Sequence, residues 1–515
     1  MTRPKTSLRR EVAAAAFASG AVEIVTRALT IVLSIATARA LQPSEVGLLG
    51  LAVIMVGVLS LVTACAETAG VIARSLASDP QYAWSATVVR AVVTACLLAL
   101  APLSLPSLAH LLAGREAASV ELMALVYVLL WQLGLDLAGT YPRVLLQRRL
   151  RLTSLVGASL LQISAHVGLS IVLLWKGYGA MGVVSSALVS GGLSGAFLWC
   201  RLFAQPGLRW EGGVDASVWS QTLTSTARVF AGSFAGYLNG RLNNLLVAGV
   251  LGPAAMSFYG MAWSASRIPV WVLSQALGVV LVPTLAHVRS DTDRLERVLR
   301  ESIRHAYILL TPASAMLFVT ADSLVIIVLG PKWLPVVPAL RVMSVSVLMV
   351  PLLIAFNGLL VAVDRGHLTG LATGAQLGSF VVLVVPLATR WGVVGAALGD
   401  LASTIVVTVV LLWLCRLRAP EVRWDVRPAV LPMVAAASGG VFASSLSTEL
   451  SAGVVKIASE MTILMTGYLL IIWLLGGRRR LVELAGLVRD IARRPPGAVS
   501  APVRSEIVGG NAGGT

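Results

Sequence analysis

Apolar residues gather along this chain in blocks of about 20, the length of helix that crosses the hydrocarbon core of a bilayer, and short polar clusters separate the blocks. Fourteen blocks are expected to span: 18–39, 46–73, 84–105, 118–140, 154–175, 179–200, 228–250, 254–285, 304–329, 336–362, 368–389, 391–415, 428–447 and 454–476. Lipid offers no partner to an open strand edge, so the expected class is an all-α polytopic membrane protein of about fourteen helices. The blocks divide the chain into a cytoplasmic leader (1–17), a first lobe of six spans (18–202), a cytoplasmic linker (203–227), a second lobe of six spans (228–416), two further spans (417–476) and a cytoplasmic tail (477–515). Gly, Ala and Ser dominate after Pro495, where disorder is expected.

Charge orients this map. When the N-terminus is placed in the cytoplasm and the spans alternate, 30 of the 40 Lys and Arg fall in inside segments, Arg90 among them, and five fall outside. Such a bias marks cytoplasmic loops, so both termini are expected there. It also accounts for the net charge of +16 without nucleic acid as a partner. No outside segment exceeds about 15 residues, which leaves no room for an extracytoplasmic catalytic domain. No GxxxxGK[ST] motif is present for ATP. Cys65, Cys96, Cys200 and Cys415 lie far apart, without CxxC or Cys/His spacing. A transporter is expected rather than an enzyme, with no metal and no cofactor.

The chain echoes itself. Without gaps, Ala38, Leu41, Pro43, Gly50 and Ala52 match Ala248, Leu251, Pro253, Gly260 and Ala262; farther on, Gly179 and Gly182 match Gly392 and Gly395. Spans 1–6 and 7–12 therefore read as related halves of one orientation, with a substrate site between them near the midplane. Spans 13 and 14 fall outside the repeat.

Ionisable groups at bilayer depth face a cavity or a partner. In the first span Glu23, Arg27, Thr30 and Ser34 share a face, and in the seventh Ser233, Tyr237, Arg241 and Asn244 do so, with Asn243 beside them. These equivalent helices each carry a mid-membrane arginine, suited to a diphosphate because guanidinium is a planar, permanently charged fork. The alternative for Arg27 is pairing with Glu23, and for Arg241 a partner on another helix. Gln132, Asp136, Thr140 and Arg143 share a face of span four, with Arg143, Arg148 and Arg149 at its cytoplasmic end, either snorkelling or forming an entrance. Glu67 and Arg267 are candidate cavity residues or counter-ions. Asn357 is expected to bond between helices, His166 to pack, and Asp322 and Asp400, near helix ends, to contact water. Trp84, Trp175, Trp333, Trp391 and Trp413 are expected in the interfacial aromatic belt.

Four collinear stretches carry a resemblance: ARALQPSEVGLLGLAVI (38–54), YPRVLLQRRLRLTSL (141–155), NGRLNNLLVAGVLGPAAMSFYGMAWSASRIPV (239–270) and LGPKWLPVVPALRVMSV (329–345). The sequence resembles the Wzx-type polysaccharide flippases of the multidrug/oligosaccharidyl-lipid/polysaccharide exporter superfamily. The resemblance implies two six-helix lobes in a V and alternating access in the bacterial inner membrane. It implies that undecaprenyl-diphosphate-linked oligosaccharide crosses to the outer leaflet for exopolysaccharide, O-antigen or capsule assembly, with handover to polysaccharide polymerase machinery. Arg27, Arg241 and Arg267, with Tyr237, Asn243 and Asn244, would line the cationic cavity. Glu23, Glu67 and Asp136 would serve coupling to H+ or Na+. Relatives often show an acid where this chain has Asn243. The other readings are a drug/cation antiporter of the same superfamily and a lipid II flippase; a membrane glycosyltransferase or polymerase is disfavoured by the short loops.

Overall fold

Where the structure describes them, the apolar blocks close their backbone hydrogen bonds within themselves as helices, the arrangement that lipid demands. The computed structural model describes residues 5–72, 79–117, 120–149, 151–204, 216–271, 284–285, 287–288, 291–418, 420–422, 427–446 and 453–493. Among these, the elements are α1 (Lys5–Ala40), α2 (Pro43–Ile72), α3 (Asp79–Ala117), α4 (Val120–Ala138), α5 (Thr140–Arg148), α6 (Leu152–Trp175), α7 (Gly179–Phe203), α8 (Ala216–Leu251) and α9 (Pro253–Ser266). They continue with α10 (Thr292–Val319), α11 (Ala321–Val328), α12 (Val336–Ser346), α13 (Val350–Ala362), α14 (His367–Arg418), α15 (Arg427–Leu446) and α16 (Val454–Arg493). Most of the expected linker, the far part of the 254–285 span and the tail after Pro495 lie outside the described residues.

Among the described residues, nine stretches are long and apolar enough to cross a membrane. One of them, α14, is two spans joined at a break where Trp391 and Gly392 leave helical geometry. A shorter apolar stretch, Ala429–Ser445, lies in α15, and α1, α8 and α9 sit at the three remaining expected positions. The stretch Leu152–Trp175 has a mean hydropathy of 1.7 although only 17% of it is buried. Leu161, Ile171 and Val172 point outward there, a surface that suits hydrocarbon rather than water.

The sequence echoes are positions where the backbone needs a particular residue. Pro43 and Pro253 open α2 and α9, where a missing N–H costs nothing. Ala38, Ala52, Ala248 and Ala262 are all buried at close helix contacts. Gly179 and Gly392 adopt φ of +60° and +58°, a region closed to most side chains. Each begins a span that folds back tightly on its predecessor. A Cβ on Gly182 would come within 2.9 Å of Leu173, and one on Gly395 within 1.8 Å of the Leu387 carbonyl.

Within the first lobe α1 packs on α6, α6 on α7, and α4 on α7; in the second α8 and α12 pack on α14. The lobes meet where α2 lies against α8 and α9 and where α3 lies against α8. The hairpin of α15 and α16 leans on α10, with the Tyr468 hydroxyl donating to the Ile308 carbonyl at 2.9 Å.

Three local differences from the expected map have physical causes. The loop after span four contains a further helix, α5, whose buried Val144, Leu145 and Leu146 pack beside Ala83 and Leu198. The expected 304–329 span begins earlier, at Thr292, because Asp291 caps it by accepting from the Arg294 N–H at 3.1 Å, and it breaks at Thr320. Trp333, expected in the aromatic belt, is fully buried and donates to the Ala38 carbonyl at 2.8 Å. Gly395→Val is expected to destabilise the protein by about 3 kcal/mol through overpacking. Gly134→Ala, where the space is open, should shift stability by less than about 1 kcal/mol. Thermal unfolding of both purified variants in detergent measures the contrast.

Candidate substrate cleft and buried ion pairs

On α1, Arg27 Nε donates to Glu23 Oε1 at 3.1 Å, and both side chains are about half exposed. The i, i+4 pairing weighed from the sequence is thus formed. Thr30 and Ser34, on the same face, donate to the carbonyls of Thr26 and Thr30 of their own helix.

On α8 the picture differs. Arg241 is exposed and makes no hydrogen bond or ion pair with any described residue. One turn earlier, the Tyr237 hydroxyl crosses to the first lobe and donates to the Ile54 carbonyl at 3.0 Å. Gly57 makes that crossing feasible, since a Cβ there would lie 2.0 Å from the Tyr237 oxygen. Asn243 Nδ2 reaches Asp400 Oδ1 at 3.5 Å, and Asn244 lies opposite Gly260. The helix of Arg27, α1, packs chiefly on α6, and the helix of Arg241, α8, packs on α2, α3 and α14.

Asp400 is only 2% exposed, so the expectation of water contact fails. The break at Gly392 starts a fresh helix, and Asp400 lies about two turns into its buried part. Its carboxylate accepts from Asn243 and, at 3.3 Å, from Ser346 Oγ, and Arg267 Nη2 stands 3.9 Å away. Arg267 also lies over the ring of Trp263, 5.4 Å from its centroid. Arg267 therefore acts as a counter-ion within its own lobe.

A second set of charges collects in the first lobe. Glu67 Oε1 stands 3.1 Å from Arg90 Nη1 and 3.3 Å from Arg143 Nη1. Asp136 interacts electrostatically with both arginines. Two acids and two guanidinium groups from α2, α3, α4 and α5 thus balance one another. Arg90, counted with the cytoplasmic charges, is instead 4% exposed. An arginine inside an apolar run, with two acids in neighbouring spans, was the available signal. Arg148 lies over the Tyr82 ring at 4.6 Å, and Arg149 is partly exposed at the end of α5.

Three further candidates from the sequence have partners close by. His166 Nδ1 bonds Ser186 Oγ at 2.9 Å, consistent with packing. Asn357 donates to Leu353 of its own helix rather than between helices. Asp322 is partly exposed and pairs with Arg341. Among the described residues, no group of three or more His, Cys, Asp and Glu could hold a metal.

A family model described as polysaccharide biosynthesis protein matches residues 36–338. The chain is similar to the lipopolysaccharide biosynthesis protein WzxC of Escherichia coli (strain K12), with 27% identity over 209 residues, 41% of this chain and 42% of that one. It is also similar to an uncharacterized membrane protein in the cps region of Klebsiella pneumoniae, with 28% identity over 170 residues, 33% of this chain and 35% of that one. The chain thus matches less than half the length of each of these relatives. In fold it is similar to the lipid II flippase MurJ in an inward closed conformation, with a TM-score of 0.69 and 12% identity over 90% of this chain and 98% of that one. An inward-facing multidrug resistance MATE family transporter of the MOP superfamily gives a TM-score of 0.65 and 14% identity over 77% and 95%.

Removing Glu67 leaves a buried guanidinium uncompensated. Glu67→Ala is expected to cost about 3 kcal/mol, and adding Arg90→Met should recover part of that loss. Thermal unfolding of the two single variants and the double variant measures the coupling; strictly additive losses would show that the two residues act independently.

Proposed function

Because the chain belongs to the polysaccharide biosynthesis protein family, we propose that it is a flippase carrying undecaprenyl-diphosphate-linked oligosaccharide units across the bacterial inner membrane. Transport runs from the cytoplasmic to the outer leaflet by alternating access, for exopolysaccharide, O-antigen or capsule assembly. Both termini lie in the cytoplasm, and delivered units pass to polysaccharide polymerase machinery.

The observation that carries this reading is Arg241. It is an exposed cation on a helix at the junction of the lobes, and among the described residues no carboxylate pairs with it. The sugar–diphosphate head enters between the lobes while the polyprenyl tail stays in lipid. A diphosphate crossing a low-dielectric region needs its charge matched. A guanidinium does so with two parallel hydrogen bonds. Arg27 supplies a second fork on releasing Glu23, and Tyr237 and Asn244 supply hydrogen bonds. Asn243 and Arg267 set the depth of the site through Asp400. Arg143, Arg148 and Arg149 form the cytoplasmic entrance. Glu23, Glu67 and Asp136 are the groups through which H+ or Na+ would couple.

A drug/cation antiporter would need unneutralised acid in the cleft. Here Glu23, Glu67 and Asp400 each have an arginine beside them, which favours an anionic cargo. Arg241→Ala is expected to cut polymer export at least tenfold while the protein still inserts. The assay extracts undecaprenyl-linked intermediates and asks, with an impermeant probe, which leaflet holds them. Complete units should accumulate on the cytoplasmic side in the variant and in a deletion strain. Normal periplasmic units in the deletion strain would rule the reading out, and accumulation of lipid II alone would move the cargo to that lipid.

A further inference from the structure

We propose that Arg39, Lys332 and Trp333 are the gate residues of the transport cycle: a reciprocal latch that shuts the extracytoplasmic end of the cleft. The proposal deepens the alternating-access reading and takes its sidedness from the charge map.

The last carbonyls of a helix lack intrahelical donors. At the C-terminus of α1, these are filled from the second lobe. Trp333 Nε1 donates to the Ala38 carbonyl at 2.8 Å, and Lys332 Nζ donates to the carbonyls of Arg39 at 2.9 Å and Leu41 at 2.6 Å. At the C-terminus of α11, the donor comes from the first lobe. Arg39 Nε donates to the Val328 carbonyl at 2.9 Å, and Arg39 Nη2 donates to Ile327. Each lobe thus supplies the cation that caps the other's helix, at the end where the helix dipole favours positive charge.

Two contacts at the same end close the joint. The Trp333 ring is buried edge-on against Phe258 of α9, with centroids 5.8 Å apart. The backbones of α2 and α9 touch, since a Cβ on Gly47 would lie 2.0 Å from the Pro253 carbonyl oxygen. All five latch bonds end on backbone oxygens, so they form only when the two helix ends come together.

At the opposite end, the bonds that join α3 and α8 include two between neutral side chains. The Tyr82 hydroxyl donates to Gln221 Oε1 at 2.6 Å, and Ser85 Oγ meets Thr222 Oγ1 at 3.1 Å. Charge-assisted hydrogen bonds are about twice as strong as neutral ones. The Tyr82 and Ser85 bonds lie at the far end of the seam from the latch.

The test uses Gly50→Cys as a reporter, with the four native cysteines replaced by alanine. Gly50 lies on α2 in the seam, and an added Cβ would meet the flexible Met256 Cε at 3.1 Å. A membrane-impermeant maleimide is added to intact cells. Arg39→Ala with Lys332→Ala is expected to raise the labelling rate at least about fivefold. Lys332→Arg should stay near the parent rate, and Tyr82→Phe with Ser85→Ala should not raise it. If the double alanine variant fails to reach the membrane, Trp333→Phe, which keeps a buried ring and removes one donor, decides the matter with an expected rise of about twofold. Unchanged labelling at equal protein level, or an equal rise from the Tyr82 and Ser85 changes, overturns the latch. Labelling needs no cargo, so this result is independent of the leaflet assay.

Discussion

In a bilayer, every backbone amide must find its hydrogen-bond partner inside the protein, and most of this structure follows from that requirement. Helices meet it along their length but not at their ends. The ends are accordingly where the sequence is most constrained. Prolines start α2 and α9, Asp291 caps α10, and glycines of positive φ turn the chain into α7 and into the second half of α14. Hydroxyls follow the same rule. Thr30, Ser34, Thr404 and Thr408 each donate to a carbonyl one turn back. A polar side chain within a span therefore does not by itself mark a cavity, because its own backbone is the nearest acceptor.

Charge divides the interior into two kinds of place. Glu67 and Asp136 with Arg90 and Arg143, and Asp400 with Arg267, are nearly neutral sets within single lobes. Such sets gain Coulomb energy that roughly offsets desolvation, so they fix the arrangement of helices more than they stabilise the fold. Arg241 is of the other kind. It is exposed and stands one turn from Tyr237, which bridges the lobes, so on the proposed reading a diphosphate held there is tied to their relative position.

The class, the spans, the halves and their elbows could be read in the sequence because each rests on local rules: block length, proline and glycine chemistry, and helical periodicity. Glu23 and Arg27 could be read for the same reason, being four residues apart on one helix. The partnerships of Arg90, Asp400 and Trp333 could not. Asp400 and Asn243 are joined only because α8 packs on α14, and Glu67 meets Arg143 only because α5 turns inward. A charge map places a residue relative to the membrane, but it does not choose its neighbour. Trp333 shows the limit most plainly, since an interfacial tryptophan and one buried at a lobe junction occupy the same depth.

The two lobes share a backbone plan but not a charge plan, and the difference bears on transport. At the offset that relates Pro43 to Pro253, Gly57 of α2 corresponds to Arg267 at the end of α9. In the second lobe that position neutralises Asp400 of its own lobe. In the first it is empty of side chain and accepts Tyr237 from the opposite lobe. The halves share one orientation, so their symmetry exchanges the two lobes and not the two openings. The absence of a side chain at Gly57 makes that exchange unequal. It makes one lobe the anchor of its own buried charge and the other the socket for a side chain that must withdraw when the lobes part. The side-chain contacts that cross between the lobes here therefore arise where the halves differ, rather than where they reveal their common plan.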